Sequence, residues 1–297
     1  MPDISDLPLV ISTSGGETSM IMCLRLNEQF RGKRPMVNIF ANTSRERDET
    51  LTFLDRCDKE YGLGLVWVEA VVNPEYNAGT THRLTTYEEA KRDGSVFEAV
   101  IQKYGIPNAA FIHCTRELKT KPIVSYVKSE LGWDKFVTAI GYRADEMGRV
   151  KWDKAREQRQ YYPLVETWPM DKAMVRRFFS AHHIKLGLKE HEGNCKNCYK
   201  KSDRKLLTLA VDRPEDWAWN IEMEAKYGNF TPPSRDSEKS KPPYTFFRDG
   251  RSAIEIIEES KFPFRRFEEV EDLQMMMFAD DLDWEPAGCG SGACEPF

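Results

Sequence analysis

The segment Leu9-Val10-Ile11-Ser12-Thr13-Ser14-Gly15-Gly16-Glu17-Thr18-Ser19-Met20 decides the fold of this 297-residue chain. Its apolar first half predicts a buried β-strand, and apolar residues from Met20 onward recur at the spacing of an α-helix. Gly15 and Gly16 let the backbone pass close to an anion, toward which the first amides of the helix would point. Hydroxyl donors surround the same turn: Ser12, Ser14, Thr18 and Ser19. The segment predicts a phosphate site, and the alternative is a turn in which serine and glycine only cap the helix.

Further apolar runs extend this start into a sheet. The remaining predicted strands are 37–41, 65–72, 136–141 and 161–164. Alternation of strand and helix over the first 72 residues is typical of a doubly wound, mainly parallel α/β sheet. The polar segment 73–86 is predicted to be an irregular flap. We therefore expect a five-stranded α/β nucleotide-binding domain with a helical C-terminal extension, divided as follows: 1–190, the nucleotide-binding domain; 191–280, a cysteine-containing helical region; 281–297, a flexible cysteine-bearing tail.

Polar side chains and a glycine follow two of these strands, at the point where each strand ends. They are Asn42 and Thr43 after the second strand, and Gly141, Arg143, Asp145 and Glu146 after the fourth. Ligand-binding loops of open α/β sheets follow the carboxyl ends of strands, so these residues are predicted to surround the phosphate site. Arg143 would neutralise a phosphate, and Asp145 or Glu146 would hold Mg²⁺ or a ribose hydroxyl. The alternative is an ion pair within the loop.

Cysteines form a second group of candidate residues. Cys195 and Cys198 are spaced so that two thiolates can face one metal ion or cluster, and neighbouring lysines favour the thiolate form. Cys114 is the candidate for a further ligand. The residues alone leave four interpretations: an iron–sulfur cluster, a zinc site that includes His113, His183 or His191, a redox pair without metal, or inert cysteines.

Two more cysteines, Cys289 and Cys294, stand in a Gly/Ser-rich segment near the end of the sequence. Such a composition is not that of a packed core. The functional interpretation is a swinging thiol pair that reaches the active site. The alternative is a disordered tail with incidental thiols.

The composition narrows the class of protein. A hydrophobic content of 40% and a charged content of 31% are typical of a soluble globular protein. The net charge of −5 argues against non-specific nucleic-acid binding as the main activity. We expect a cytoplasmic protein, because no apolar run has the length of a membrane span and the first residues lack a signal-peptide pattern. Seven cysteines without a secretion signal favour metal or redox chemistry over a disulfide framework.

The motif Ser14-Gly15-Gly16-Glu17-Thr18-Ser19 resembles the SGGxxS pyrophosphate loop of the PP-loop superfamily of adenine nucleotide alpha hydrolase-like proteins. From about residue 8 to residue 200, the chain is most similar to the phosphoadenylyl-sulfate (PAPS) reductase-like branch, which is common in phages and bacteria. Three supporting motifs occur in the family's order: Phe40-Ala41-Asn42-Thr43 with Glu49-Thr50-Leu51, Cys114-Thr115-Arg116-Glu117-Leu118-Lys119, and Gly141-Tyr142-Arg143-Ala144-Asp145-Glu146. The resemblance implies a PP-loop or HUP-like fold that binds ATP, or PAPS or adenylyl sulfate (APS), with Mg²⁺. Thr18 stands where the family most often has Asp.

The same resemblance implies a role for the cysteines. Iron–sulfur reductases of the family hold a four-iron four-sulfur cluster with a Cys-Cys pair near the position of Cys114 and a downstream C-x-x-C, whereas His113 precedes Cys114 here. Related tRNA sulfurtransferases hold such a cluster with three cysteines and leave one iron open to sulfur. The implied ligands are Cys114, Cys195 and Cys198, with zinc as the alternative. PAPS reductases proper use a C-terminal cysteine as nucleophile, which is the role open to Cys289 and Cys294.

Three functions follow, in order of preference. In the first, an acceptor oxygen attacks the α-phosphorus of ATP, Arg143 helps to stabilise the leaving pyrophosphate, and sulfur is then transferred from the cluster or a persulfide. The second is reduction of PAPS or APS by thiolate attack. The third is a non-catalytic nucleotide-binding protein, which Thr18 leaves open. The expected partners are an acceptor, for which a nucleic-acid base is one candidate, and a sulfur or electron donor protein. A homodimer is compatible with the sequence, and a phage-encoded protein would act in the host cytoplasm.

Overall fold

Six strands form a single sheet in the computed structural model, which describes residues 6–75, 78–150, 152–235 and 241–268. In chain order the strands are β1 (Leu9–Thr13), β2 (Met36–Asn42), β3 (Val66–Val72), β4 (Thr80–Thr85), β5 (Val137–Ile140) and β6 (Gln160–Tyr161). Their order across the sheet is β4-β3-β2-β1-β5-β6, and only the β3–β4 pair is antiparallel. Val10 of β1 pairs with Val37 on one side and Thr138 on the other. β1 is thus a central strand, and its carboxyl end opens at the middle of the sheet.

Helices connect and follow the strands. They are α1 (Glu17–Phe30), α2 (Asp48–Tyr61), α3 (Ser95–Tyr104), α4 (Lys121–Ser129), α5 (Trp152–Glu157), α6 (Pro163–Glu166), α7 (Lys172–Ser180), α8 (Asp203–Asp212), α9 (Ala218–Tyr227) and α10 (Ala253–Glu259). A π-helical turn, Arg116–Thr120, leads into α4. The β1-α1-β2-α2-β3 alternation confirms the doubly wound, mainly parallel α/β prediction.

The two faces of β1 explain why the sheet is covered on both sides. Leu9 and Ile11 pack into a core that contains residues of α1, α2 and α7. Val10, which points to the opposite face, packs with Ile123 and Val127 of α4. All five residues of β1 are buried, as expected for a central strand of a parallel sheet.

The C-terminal helices share a core with the α/β unit. Leu206 and Leu209 of α8 and the buried Trp217 belong to the same apolar cluster as Phe97 and Val100 of α3. The segment that begins with α8 therefore packs directly on the α/β unit. None of the helices in the described ranges has both the length and the apolar character needed to cross a membrane.

Two sequence-based predictions of local structure were wrong. Residues 80–85, within the predicted flap, form the edge strand β4, so the sheet has six strands instead of five. β4 lacks an apolar pattern because polar contacts fix it: Arg83 pairs with Glu69 of β3, and Thr80 donates to Glu117 at 2.5 Å. The strand predicted over 161–164 ends at Tyr161, because Pro163 starts α6, a position that proline favours.

Candidate functional site

The loop between β1 and α1 has the geometry of an open helix N-terminus. Gly15 has φ +84°, and a Cβ at this position would lie well inside contact distance of Thr50 Cγ2. Ser19 Oγ accepts from the Ser14 N–H at 3.1 Å and donates to the Gly16 carbonyl at 2.8 Å, which fixes the loop against its own helix. Gly16 is the N-cap of α1, and no side chain forms a capping hydrogen bond there. The first amides of a 14-residue helix therefore face outward at its positive end.

This loop lines a cleft of about 500 Å³. The cleft walls contain Ser14, Gly15, Gly16, Glu17 and Thr18 from the loop, together with residues of α7 and of the segment 185–194. Its cationic side chains are Arg143, Lys172, Arg176, Lys185 and Lys189, against the two carboxylates Glu17 and Glu190. An excess of positive charge beside a helix N-terminus attracts an anion. We call this region the phosphate cleft.

Arg143 reaches the phosphate cleft from the end of β5 and is held there by two acids. Its Nε and Nη2 atoms each donate to Asp145 at 2.9 Å, and Nη1 lies 3.5 Å from Glu146 Oε2. Burial alone would lower the pKa of Arg143, but Asp145 and Glu146 raise it above its ordinary value. Asp145 and Glu146 are not among the cleft-lining residues, and Glu146 also pairs with Arg149 at 2.7 Å. In this structure the two acids position the arginine.

The other predicted strand-end residues have distinct placements. Asn42 is fully buried and donates to Glu69 Oε1 at 2.6 Å and to the Lys91 carbonyl at 2.8 Å. A Cβ on Gly141 would lie 3.0 Å from Ser19 Cα, so this glycine allows β5 to approach α1 closely. Ser12 is buried in β1 and does not line the cleft. Thr43 borders the pocket described next.

Cys114, Cys195 and Cys198 line one pocket, which we call the thiol pocket. Its other walls contain apolar side chains, three lysines and uncharged polar side chains; the apolar and cationic ones include Phe97, Leu118, Trp219, Phe246, Lys119, Lys196 and Lys200. Cys195 Sγ lies 3.5 Å from Thr43 Oγ1 and 3.8 Å from Glu46 Oε1, and Cys114 Sγ lies 3.3 Å from the Tyr199 hydroxyl. Asn194 and Asn197 have φ +65° and +50°, so the backbone turns sharply on both sides of Cys195. Turns of this kind point successive amides at one spot and recur at anion and iron–sulfur sites.

The histidines that could complete a metal site stand elsewhere. His113 is buried between the rings of Tyr104 and Phe111, and its burial and the charge of Arg116 lower its pKa to about 4. His191 Nε2 lies 3.3 Å from Asp212, and the side chain of His183 is exposed. None of the three lines the thiol pocket.

Within the described ranges, no group of three or more His, Cys, Asp or Glu side chains is arranged to hold a metal ion. The three thiols nevertheless share one pocket with cationic neighbours, and thiolate donors are those that an iron–sulfur cluster requires. The residue types in the pocket are those of a cluster site, and none of the three histidines lines it. Cys289 and Cys294 lie outside the described residues.

One short segment joins the two sites. Gly193 and Asn194 line the phosphate cleft, and the thiol pocket begins at the next residue, Cys195. The Lys196 N–H donates to the Arg45 carbonyl at 2.8 Å, which ties the C-x-x-C turn to the loop after β2. The buried Lys201 donates through Nζ to the carbonyls of His191, at 2.9 Å, and of Gly193.

The cations of α7 and of the segment after it were missed in the sequence. Lys172 and Arg176 are four residues apart on one helix face, and Lys185 and Lys189 repeat the spacing. Like charges at this spacing in a helix repel each other, so such a pair can indicate an anion site. Arg45 and Glu46, which lie beside Cys195, were also missed. In the sequence they are two charged residues shortly after a predicted strand, which is typical of an ordinary surface turn.

Comparison with known proteins identifies the family of this chain. Residues 8–186, more than half of the chain, match the phosphoadenosine phosphosulfate reductase domain. The chain is also similar to the uncharacterized nin region protein ORF290 of Escherichia phage lambda, with 26% identity over 251 residues, which cover 84% of this chain and 83% of the relative. The extent of the domain match confirms the resemblance seen in the glycine loop. The chain belongs to the phosphoadenosine phosphosulfate reductase domain family of the PP-loop superfamily.

Proposed function

We propose that this PP-loop protein is an enzyme that uses ATP to adenylate an acceptor and then transfers sulfur to it. The observation that carries the proposal is the adjacency of the phosphate cleft and the thiol pocket along residues 193–195. A nucleotide site beside three thiols that line one pocket suits a reaction in which an activated carbon or phosphorus centre meets a sulfur source. A protein that only bound nucleotide would have no use for the thiols.

In the first step an acceptor oxygen attacks the α-phosphorus, the bond from that phosphorus to the bridging oxygen breaks, and pyrophosphate leaves. The amides at the start of α1 and the Arg143 guanidinium stabilise the charge that develops on the leaving group. Mg²⁺ accompanies the nucleotide and offsets part of the same charge. Asp145 and Glu146 hold Arg143 in position, so the guanidinium is already oriented when the nucleotide binds.

Cys114, Cys195 and Cys198 would hold a four-iron four-sulfur cluster in the thiol pocket. Such a cluster, when bound, supplies an iron that can carry the sulfur to be transferred. Lys119, Lys196 and Lys200 offset the negative charge of three thiolates. The acceptor, for which a nucleic-acid base is one candidate, would receive sulfur as AMP leaves, and a donor protein would restore the sulfur. The protein would act in the cytoplasm, that of the host if a phage encodes it.

The family description favours a second candidate, reduction of PAPS or APS. In that reaction a thiolate attacks the sulfur, the nucleotide phosphate leaves, and a second thiolate then releases sulfite as a disulfide forms. The same phosphate cleft would bind the nucleotide. Cys289 or Cys294 is a candidate for one of the two thiols.

Anaerobic purification followed by assays of iron, acid-labile sulfide and zinc tests the proposal. We expect a brown protein with iron and sulfide, and loss of both in Cys195→Ser but not in the matched core variant Cys57→Ser. A colourless zinc protein would contradict the sulfur-transfer proposal. Pyrophosphate release from ATP with candidate acceptors, compared with sulfite release from PAPS and APS, then separates the two reactions. Release of neither product, with nucleotide still bound, would favour the non-catalytic alternative.

A further inference from the structure

The carboxylate of Glu190 lies inside the phosphate cleft, among the cations of α7. Its Oε2 atom forms an ion pair with Lys172 Nζ and lies 3.6 Å from Arg176 Nη2. Its other oxygen, Oε1, accepts from Lys205 Nζ at 3.0 Å. Burial would raise the pKa of Glu190, but the charges of Lys205 and Lys172 outweigh it and lower the pKa to about 2. The group is therefore an anion at neutral pH, bound as a phosphate would be.

The two oxygens of Glu190 face different partners. Lys172 and Arg176, which contact Oε2, line the phosphate cleft, whereas Lys205, which contacts Oε1, is a buried residue of α8 that does not line it. Glu190 can thus release the two cleft cations and still keep the ion pair with Lys205. The charge of Glu190 also contributes to the raised pKa of Arg143, after the larger effects of Asp145 and Glu146.

We propose that Lys172 and Arg176 form a subsite for the pyrophosphate part of the nucleotide, and that Glu190 occupies this subsite as an internal anion until the nucleotide displaces it. The proposal rests on the proposed function and deepens it by assigning the terminal phosphates to the α7 side of the cleft. The exchange breaks no covalent bond: one carboxylate oxygen leaves the two cations, and phosphate oxygens take its place. Glu190 therefore lowers the affinity for free pyrophosphate and for ATP.

Calorimetric titration of the full chain with inorganic pyrophosphate, and separately with ATP, tests this subsite. In Glu190→Gln the dissociation constant for pyrophosphate should fall by about tenfold. The apparent dissociation constant equals the intrinsic one divided by the fraction of molecules whose site is free, and this variant removes the internal competitor. Glu192→Gln is the matched control, since Glu192 pairs with Arg213 and does not line the cleft. Its pyrophosphate affinity should match that of the natural protein. Unchanged or weaker pyrophosphate binding in a folded Glu190→Gln protein would overturn the proposal.

A second variant covers the case in which Glu190→Gln fails to fold. Lys172→Gln should weaken pyrophosphate binding by about tenfold or more, as expected when a charged contact to phosphate is removed. In the double variant, the gain from Glu190→Gln should largely disappear, because the two residues share one interaction. Pyrophosphate binding that is unaffected by Lys172→Gln contradicts the subsite. If ATP does not bind while pyrophosphate binding responds to Glu190→Gln, the proposed function fails and the subsite stands.

Discussion

The Sγ atom of Cys195 lies 3.5 Å from the Oγ1 atom of Thr43, a residue 152 positions earlier in the chain. Thr43 directly follows β2 at the carboxyl edge of the sheet. Its N–H and hydroxyl both contact Glu46, at 2.9 and 2.8 Å, so the threonine is held firmly against the thiol. The thiol pocket is therefore built onto the sheet edge where open α/β proteins bind their ligands.

Gly15 should be far less replaceable than a glycine with similar backbone geometry in open space. Gly15→Ala adds a steric clash with Thr50 to the strain of φ +84°, whereas Gly62→Ala, at φ +55°, meets nothing within 4 Å. We expect a loss of unfolding free energy of about 1 kcal/mol for Gly62→Ala and about 2 kcal/mol or more for Gly15→Ala. Urea denaturation measures both. ATP binding should be lost only in Gly15→Ala, and equal stability losses would argue against the clash.

Replacing Arg143 should reduce turnover more than replacing Arg149, although both arginines pair with Glu146. Arg143→Met is expected to reduce pyrophosphate release by about 100-fold, the size of effect seen when one preorganised donor to a developing charge is removed. Arg149 pairs with the same Glu146 but does not line the phosphate cleft. Arg149→Met should therefore stay within a few-fold of the natural rate in the same assay. Similar losses in both variants would assign the effect to loop structure.

The cysteines should fall into two classes of reactivity. Cys23 and Cys57 are buried, and burial raises the pKa of each thiol to about 12, which leaves a thiolate fraction of about 10⁻⁵ at neutral pH. Cys114 and Cys198 are only half-buried in the thiol pocket. Iodoacetamide applied to the folded, metal-free protein should label Cys114 and Cys198, and peptide mass spectrometry should find Cys23 and Cys57 unlabelled until the protein is denatured. Early labelling of Cys57 would contradict this core assignment.

Glu224 should make the protein less stable as the pH rises toward neutrality. Burial raises its pKa from 4.5 to about 7, against the opposing effect of N–H groups from Ala253 and Phe246, which its oxygens accept at 2.8 and 3.1 Å. The folded state therefore binds the proton more tightly than the unfolded state. The associated stability, roughly 1–3 kcal/mol, is complete below about pH 4.5 and is lost as the pH rises through 7.

The difference between the natural protein and Glu224→Gln in denaturation at several pH values isolates this effect. A difference is needed because the lowered pKa of His113 acts in the opposite direction, removing stability as the pH falls from 6.5 toward 4. Glu222→Gln, on the exposed face of the same helix, is the control and should show no such pH trend. A pH-independent effect of Glu224→Gln would mean that folding does not raise the pKa of Glu224.

The strands and helices that could be predicted are those with a clear local pattern of apolar residues. Apolar runs such as Leu9-Val10-Ile11 mark central strands directly, because both faces of these strands are buried. β4 was not predictable in this way, since it is an edge strand fixed by ion pairs and hydrogen bonds to residues such as Glu117, 37 positions away. A polar strand of this kind has the composition of a loop.

The site was predictable only in its local part. The glycine loop can be recognised in the sequence because its residues are consecutive and its turn, with φ +84° at Gly15, requires a glycine at the start of a helix. The cationic wall formed by Lys172, Arg176 and Lys189 depends on how α7 and its following segment fold back onto that loop, which no short motif encodes. The meeting of Cys114 with the Cys195–Cys198 turn is likewise a tertiary contact.

The lysine clamp on residues 191 and 193 decides how far this protein can be shortened. Lys201 donates to backbone carbonyls of the segment that completes the phosphate cleft, and Lys205 donates to the Glu190 carboxylate within it. Both lysines lie beyond residue 186, where the family match ends. A minimal fragment trimmed to the matched domain would retain the sheet and the glycine loop while losing the part of the cleft wall that contains Lys189, Glu190, Gly193 and Asn194. Residues at and just before the start of α8 accordingly support one wall of the cleft, and transplanting the domain into another protein would require carrying them along.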